Sequence, residues 1–425
     1  MNKNEQHSKT IYIPYMSDHS YALEAAFKAY GKNAKVMPPS DNESLEIGLD
    51  LTIGKECSPC FMSTGDIVRL TQQPEFKPEK TVVFMPTTAG PCRFGQYAAL
   101  QRDILDKAGL DKIEIISPSA VNSYQGLGEN SMKLRQLIWQ GTVATDILQK
   151  LLYEYRPYEV NKGETDELYQ SCLKRIAQAV EEQGDKALVL VMKWIAKQFE
   201  ALSVDRSEPR PLVGLVGEIY IRLNNYANQN LIQKVEDSGG EVTIASMMEW
   251  IYFANWFVKD DAWRSNSFWN FLNMSVVDFY QQHQENKLLK PVEHLLKHPH
   301  ETPIAKLTDN IRPYYDPTLD TEAVLSMGKA IDFANKGLSG ILNLMPFSCM
   351  PGIITAGIAP RIRADLGNIP WLDVIFDAQG STHFNTRLEA FMYQATQYQR
   401  RTTKASAVSN KQPMVSNTQV LNAWT

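Results

Sequence analysis

No run of about eighteen uncharged apolar residues occurs in this sequence. The nearest stretch, Trp250 to Phe271, is interrupted by Lys259, Asp260, Asp261 and Arg264, so no membrane-spanning helix and no membrane partner are expected. Residues Met1 to Ser8 lack the apolar core and cleavage site of a secretory signal, so a cytoplasmic chain is expected. Basic residues are not in excess: 43 Lys and Arg stand against 48 Asp and Glu, a formal net charge of −5. With no dense Lys/Arg stripe, nucleic acid is not the expected partner. Cysteine is scarce as well. Five cysteines make a poor disulfide framework in a reducing compartment, where clustered thiols bind metal or do redox work.

What is present is an ordinary globular composition, 44% apolar and 21% charged over 425 residues, with room for two or three domains. Residues 10–16 read as a strand, followed by a helix at 21–30, a strand near 34–37, a helix carrying Cys60, a strand at 81–85, a helix at 97–108 and a strand at 113–116. Strands alternating with helices of about ten residues predict a parallel sheet covered on both faces. The expected organisation is an N-terminal α/β domain (1–130), a helical segment (131–208), a second α/β unit with an aromatic helical region (209–310), a C-terminal α/β unit (311–400) and a disordered tail (401–425). The fold class is α/β, with two to three parallel-sheet domains and a helical insertion.

Four of the five cysteines lie in Pro/Gly loops: Cys57 and Cys60 in Gly54-Lys-Glu-Cys-Ser-Pro-Cys60, Cys92 in Gly90-Pro-Cys-Arg-Phe-Gly95, and Cys349 in Met345-Pro-Phe-Ser-Cys-Met-Pro-Gly352. Structural cysteines are usually small apolar fillers. Thiols in such loops are placed to converge on a ligand. Cys92 and Cys349 follow predicted strands, and in open parallel sheets ligands bind outside the carboxyl ends of strands. One Cys-x-x-Cys pair plus two distant single cysteines suits an iron–sulfur cluster. A structural zinc site and a thioredoxin-like role for Cys57 and Cys60 remain alternatives. Cys172 lies in a helical pattern and reads as an ordinary core or surface thiol.

The segments around Cys57, Cys92 and Cys349, with Val213-Gly-Leu-Val-Gly-Glu-Ile-Tyr220 and Asn385-Thr-Arg-Leu-Glu-Ala-Phe391, resemble the 2-hydroxyacyl-CoA dehydratase and benzoyl-CoA reductase superfamily. More narrowly they resemble the cluster-binding part of large "CoA protein activase" fusions. The resemblance spans roughly residues 10–400. It implies Rossmann-like domains holding an iron–sulfur cluster at their interface, with Cys57, Cys60, Cys92 and Cys349 as ligands. It also implies a separate ATP-dependent activase that drives low-potential electrons into the cluster, a small-molecule substrate of acyl-CoA type, and a homodimer. Four thiolates suit a single [4Fe–4S] cubane better than a double-cubane cluster. The function expected is thus that of a low-potential reductase or dehydratase component. The alternative is a non-catalytic iron–sulfur or zinc scaffold that regulates or matures a partner enzyme.

The chain has no Gly-rich loop followed by Lys and Ser/Thr, so no ATPase site of its own is expected. Gly214-x-x-Gly217 after a strand reads either as a phosphate loop or as a tight strand-to-helix turn, with Gly217, Glu218 and Arg222 as its polar neighbourhood. Arg93 is expected either to donate to cluster sulfur or an anionic substrate, or simply to be solvated. Asp377 and Gln379 follow the last strand. His298-Pro-His300 reads as a solvated turn. Trp250, Trp256, Trp263 and Trp269 read as core or interface anchors, and Arg361 and Arg363 as surface residues.

Overall fold

Residues 9–88, 90–119, 126–128, 130–182, 184–319, 321–378 and 383–409 are described by a computed structural model. The first domain runs β1 (Thr10–Ile13), α1 (His19–Ala29), β2 (Asn33–Val36), α2 (Asn42–Leu51), α3 (Ser58–Thr71), β3 (Thr81–Phe84), α4 (Tyr97–Lys107) and β4 (Glu114–Ile116). The sheet is all-parallel, in the order β2-β1-β3-β4. β3 reads Thr-Val-Val-Phe and is buried at every position, as an inner parallel strand covered on both faces should be. Helices α2 and α3 cross at van der Waals limits. A Cβ on Gly48 would lie 2.0 Å from the Phe61 carbonyl oxygen, and one on Gly65 1.8 Å from that of Ser44. The two glycines therefore fix where α3 lies.

Three helices follow: α5 (Ser131–Tyr155), α6 (Glu164–Glu181) and α7 (Asp185–Ala201). α5 is buried almost all round from Trp139 to Tyr155, which is why its sequence is apolar on more than one face.

The second domain runs β5 (Leu212–Gly217), α8 (Ile219–Leu223), α9 (Leu231–Asp237), β6 (Glu241–Ile244), α10 (Met247–Arg264), α11 (Phe268–Leu289), α12 (Ile304–Ile311), α13 (Glu322–Asn335), β7 (Gly340–Pro346), α14 (Met350–Asp365), β8 (Trp371–Phe376) and α15 (Phe384–Ser409). Its sheet, β6-β5-β7-β8, is again all-parallel. The segments 209–310 and 311–400 therefore share one sheet, joined where β5 pairs with β7 from Val213↔Gly340 to Gly217↔Leu344. α15 runs on to Ser409, so the first residues of the expected disordered tail, 401–409, are helical instead; residues 410–425 lie outside the described residues.

The two sheets have the same strand order although the sequence shows no internal repeat. In each, the second strand lies on one side of the first and the third strand on the other. The crevices where ligands bind in such sheets therefore open between β1 and β3 and between β5 and β7. The fold is α/β, with two Rossmann-like parallel-sheet domains. Among the described residues no helix is long and apolar enough to cross a membrane.

Candidate metal centre

All four loop cysteines sit at helix starts. Cys57 is the N-cap of α3, and Cys60 lies in its first turn behind Pro59. Cys349 is the N-cap of α14, with Pro351 in the first turn. Cys92 caps the short turn Arg93–Gln96 that runs into α4, and its Sγ accepts the Phe94 N–H at 3.5 Å. Proline fits these turns because the first helical N–H groups have no intrahelical acceptor. The amide dipoles at each start favour negative charge on sulfur.

One side chain ties the three loops together. Arg93 donates from Nη1 to the Lys55 carbonyl at 2.7 Å and to Ser348 Oγ at 3.4 Å, and from Nη2 to the Ser348 carbonyl at 3.2 Å. The residue after Cys92 thus grips the residue two before Cys57 and the residue before Cys349, across both domains. Ser348 is in the left-handed region at φ 58°, a conformation a non-glycine residue holds only when its surroundings over-determine it. The turn Pro346–Cys349 is closed by the Cys349 N–H on the Pro346 carbonyl at 3.1 Å, and Phe347 N–H donates to the Phe376 carbonyl at 2.8 Å. Ser348 is therefore fixed from β7, β8 and Arg93 together.

The thiols feel one another. Burial is the main cause that pushes all four upward, Cys92 to about 11 and Cys60 to about 12. The charge of Cys57 adds to the rise of Cys60, Cys92 and Cys349, and Glu218 adds to that of Cys57, Cys92 and Cys349. Opposing burial, Tyr97 Oη lies 2.7 Å from Cys57 Sγ and steadies its charged form. Without a cation at the centre the four are thiols at neutral pH, and a soft metal must displace their protons.

Beside Cys349 lies a small pocket lined by Gly217, Glu218, Glu322, Ser326, Asn343 and Thr355. Glu218 caps α8, accepting the Tyr220 and Ile221 N–H groups at 3.1 and 2.8 Å. Glu322 opens α13; burial, and then the charge of Glu218, push its carboxyl up to about 8. Buried Arg222 lies near both and donates Nη1 to the Gly217 carbonyl at 3.0 Å. Burial raises the Glu218 carboxyl as well, against the Ile221 and Tyr220 N–H groups and the Arg222 charge that lower it.

Soft sulfur donors from three tied loops match the needs of an iron–sulfur cluster. Among the described residues no three His, Cys, Asp or Glu side chains are grouped to hold a single metal ion. That holds for the four loop thiols as well: Arg93 ties their loops, but a structural zinc and a cluster alike would have to draw the sulfurs closer together.

The other candidates fall into place individually. Gly214–Gly217 is the closing part of strand β5 rather than a loop after it, and it is tightly packed: a Cβ on Gly214 would meet the Phe333 ring at 2.4 Å, and one on Gly217, at φ +110°, the Leu344 carbonyl oxygen at 2.0 Å. The amides a phosphate would use are occupied by the Glu218 carboxylate. Arg93 spends both terminal nitrogens on backbone and hydroxyl oxygens, not on sulfur. Cys172 is fully buried in α6, with its thiol pushed up to about 12 by burial. His300 pairs with Glu293 at 3.0 Å and His298 is exposed. Arg361 stacks over Tyr314 at 5.5 Å, and Arg363 donates to the Ile369 carbonyl at 3.1 Å. Asp377 is exposed, and Gln379 lies outside the described residues. Trp250 and Trp256 pack against a buried cluster that includes Phe253 and Ile331, whereas Trp263 and Trp269 are exposed.

A Ser–His–Asp line also appears: Ser17 Oγ lies 2.8 Å from His19 Nδ1, and His19 Nε2 lies 3.0 Å from Asp146 Oδ1. Asp146 accepts the Met247 and Met248 N–H groups at 3.0 and 2.9 Å. All three side chains are buried, so the line joins the first domain through α5 to the start of α10 and is closed to substrate. Sequence reasoning missed Glu322, Tyr97 and Ser348. Only Tyr97 carried a usable signal, standing five residues after Cys92 at a helix start. No protein-family model matches the chain, and no curated protein matches it significantly.

Proposed function

We propose that this protein holds an iron–sulfur cluster between its two α/β domains, on Cys57, Cys60, Cys92 and Cys349. In this reading it accepts single electrons from a separate ATP-dependent activase and delivers them to a small substrate of the acyl-thioester type. The observation that carries the reading is the Arg93 grip, which binds all three cysteine loops into one unit. Such a cluster, when bound, supplies one-electron chemistry at low potential.

The chain supplies the rest. Helix starts favour charge on the four sulfurs, and burial of Cys57 and Cys60 excludes water from that side. Cys92 and Cys349 are only half-buried, so the site opens toward them and toward the Glu218–Glu322 pocket. There the two carboxyls, both raised by burial, flank the pocket, and Asn343 and Ser326 offer hydrogen bonds to a polar group.

Anaerobic purification followed by iron and acid-labile sulfide analysis tests the reading. Near-equal iron and sulfide, with reduction that depends on an activase and ATP, is the expected result. Colourless protein with no iron after anaerobic reconstitution would sink it, and one zinc per chain without iron would favour a structural scaffold instead.

A further inference from the structure

A cavity of about 500 Å³ opens on the side of the second domain, between α5, the edge strand β6, the loop 298–301 and the last turns of α13. It is separate from the cysteine loops: along α13, Lys329 stands two turns, about 10 Å, beyond Glu322. Lys329, Phe333 and Lys336, four and three residues apart, lie on one face of that helix and its C-cap, and α5 adds Lys150. Three ammonium groups therefore share the wall. Lys150 Nζ pairs with Glu301 Oε1 at 2.5 Å and donates to the Pro299 carbonyl at 3.4 Å. Lys329 Nζ pairs with Glu249 and, at 2.6 Å, with Glu301 Oε2. Lys336 Nζ pairs with Asp332 at 2.8 Å and donates to Thr302 Oγ1 at 2.8 Å. A lysine ammonium carries three N–H groups, so each of these keeps one after two are spent. All three are anchored on Glu301 and its neighbour Thr302, which holds the spare donors close together.

The charge is out of balance as well. Against the three lysines stand Asp332 and Glu301; burial opposes ionisation of Glu301, but Lys150 and Lys329 hold its carboxyl well below the usual range. The other two carboxyls, Glu154 and Glu249, are pushed by burial up to about 7 and about 8, so part of their charge is missing at neutral pH. Three cations thus face two full anions, and the wall is short of as much as one negative charge. A buried charge without a partner is costly. The rest of the wall includes apolar Val242, Ile244 and Leu338 and the Phe333 ring, 5.1 Å from Lys329 Nζ. His298 and His300, also on the wall, are exposed, which leaves the cavity open to small molecules. We propose that this cavity binds a small organic monocarboxylate, its carboxylate taking the spare lysine N–H groups and its alkyl body lying against Val242, Ile244 and Leu338. One missing negative charge selects a monoanion over a phosphate dianion, and the apolar wall selects an alkyl acid over acetate.

Isothermal titration of the full chain, purified anaerobically in a buffer free of phosphate and acetate, tests this whatever the iron content. Hexanoate is expected to bind once per chain, about tenfold or more tighter than acetate, hexan-1-ol or inorganic phosphate, which lack the alkyl body, the charge or both the body and the single charge. In Lys336→Met a partly exposed ammonium is lost, and in Thr243→Phe a ring grows into the cavity from its half-buried wall. Each is expected to weaken hexanoate about tenfold or more, with a cooperative circular-dichroism melt showing the variant to be folded. Thr243→Phe leaves every lysine pair intact, so it keeps the test decisive even if Lys336→Met destabilises the chain. Absence of hexanoate binding to wild type overturns the inference, as does acetate, hexan-1-ol or phosphate binding as tightly. Hexanoate affinity unchanged in either folded variant would place the binding elsewhere and overturn it too.

Discussion

Arg93 is exposed, yet its guanidinium holds backbone oxygens on two other loops, one of them 255 residues away. A planar fork can serve several acceptors at once, which an ammonium on a flexible stem does not reproduce. Arg93→Lys and Arg93→Ala should therefore lower iron retained per chain several-fold while changing stability by no more than about 1 kcal/mol, as exposed polar contacts do. Iron content and the melting temperature, read on the same sample, separate these effects; full iron in Arg93→Ala would show the grip to be dispensable. Asp66 on α3 gives a pH-dependent counterpart outside the cysteine loops. It is buried, accepts Ser40 Oγ–H at 2.7 Å, and burial raises its pKa from 3.8 to about 6. Because the folded-state pKa is the higher one, the penalty is absent below about pH 4, grows through pH 4–6, and is fully present above. Holding that carboxylate ionised costs on the order of 3 kcal/mol. Asp66→Asn should accordingly raise the melting temperature at pH 8 relative to wild type, with the gain vanishing by pH 4. A gain that is the same at both values would exclude Asp66 as its source.

At the scale of elements, two helices that begin at proposed ligand cysteines respond oppositely to the same substitution. In α3, Gly65 touches the Ser44 carbonyl of α2, so Gly65→Ala must push the helices apart. A loss of about 2 kcal/mol or more is expected, with iron content falling because Cys57 and Cys60 move with α3. In α14, a Cβ on Gly357 meets nothing within 4 Å, and Gly357→Ala should stabilise by about 0.5–1 kcal/mol with iron unchanged. Chemical denaturation of both variants checks the pair, and a destabilised Gly357→Ala would contradict the packing described for α14. These elements also show what the sequence could and could not disclose. The strands, the helices that follow them and the Cys57, Cys92 and Cys349 turns were readable, since hydrophobic runs, Pro and Gly act locally. Glu322 was not, because it stands at an ordinary helix start and meets Glu218 only through the packing of α13 beside β5. Nor was the exposure of Trp269 on α11 readable: both faces of that helix carry apolar residues, and only the fold decides which face meets α5. The shared strand order of the two sheets leaves no repeat in the sequence, as parallel sheets ask for buried apolar strands rather than particular residues.

Across the whole molecule, several polar ties join the first and second domains near the site, beside a buried apolar cluster that includes residues of both. Ser40 Oγ lies 3.3 Å from Tyr220 Oη, Asn224 Nδ2 donates to the Tyr15 carbonyl at 3.2 Å, Tyr226 Oη–H donates to Asn42 at 2.7 Å, and Arg93 reaches Ser348. Three of the four proposed ligands belong to the first domain, and only Cys349 belongs to the second. A cluster on all four would thus act as a further tie that exists only in the folded, assembled molecule. Anything that binds the folded state and not the unfolded chain raises stability by mass action, so loading with iron and sulfide should raise the melting temperature of wild type. Cys349→Ser leaves the first-domain thiols in place but removes the second domain's only share in the centre. It should abolish most of that rise, whereas Cys172→Ser, altering a buried thiol in α6 remote from the loops, should lower the baseline stability yet keep the rise. Differential scanning calorimetry under anaerobic conditions, before and after reconstitution, distinguishes the outcomes. An equal rise in wild type and Cys349→Ser would confine the centre to the first domain and remove the second from the proposed site.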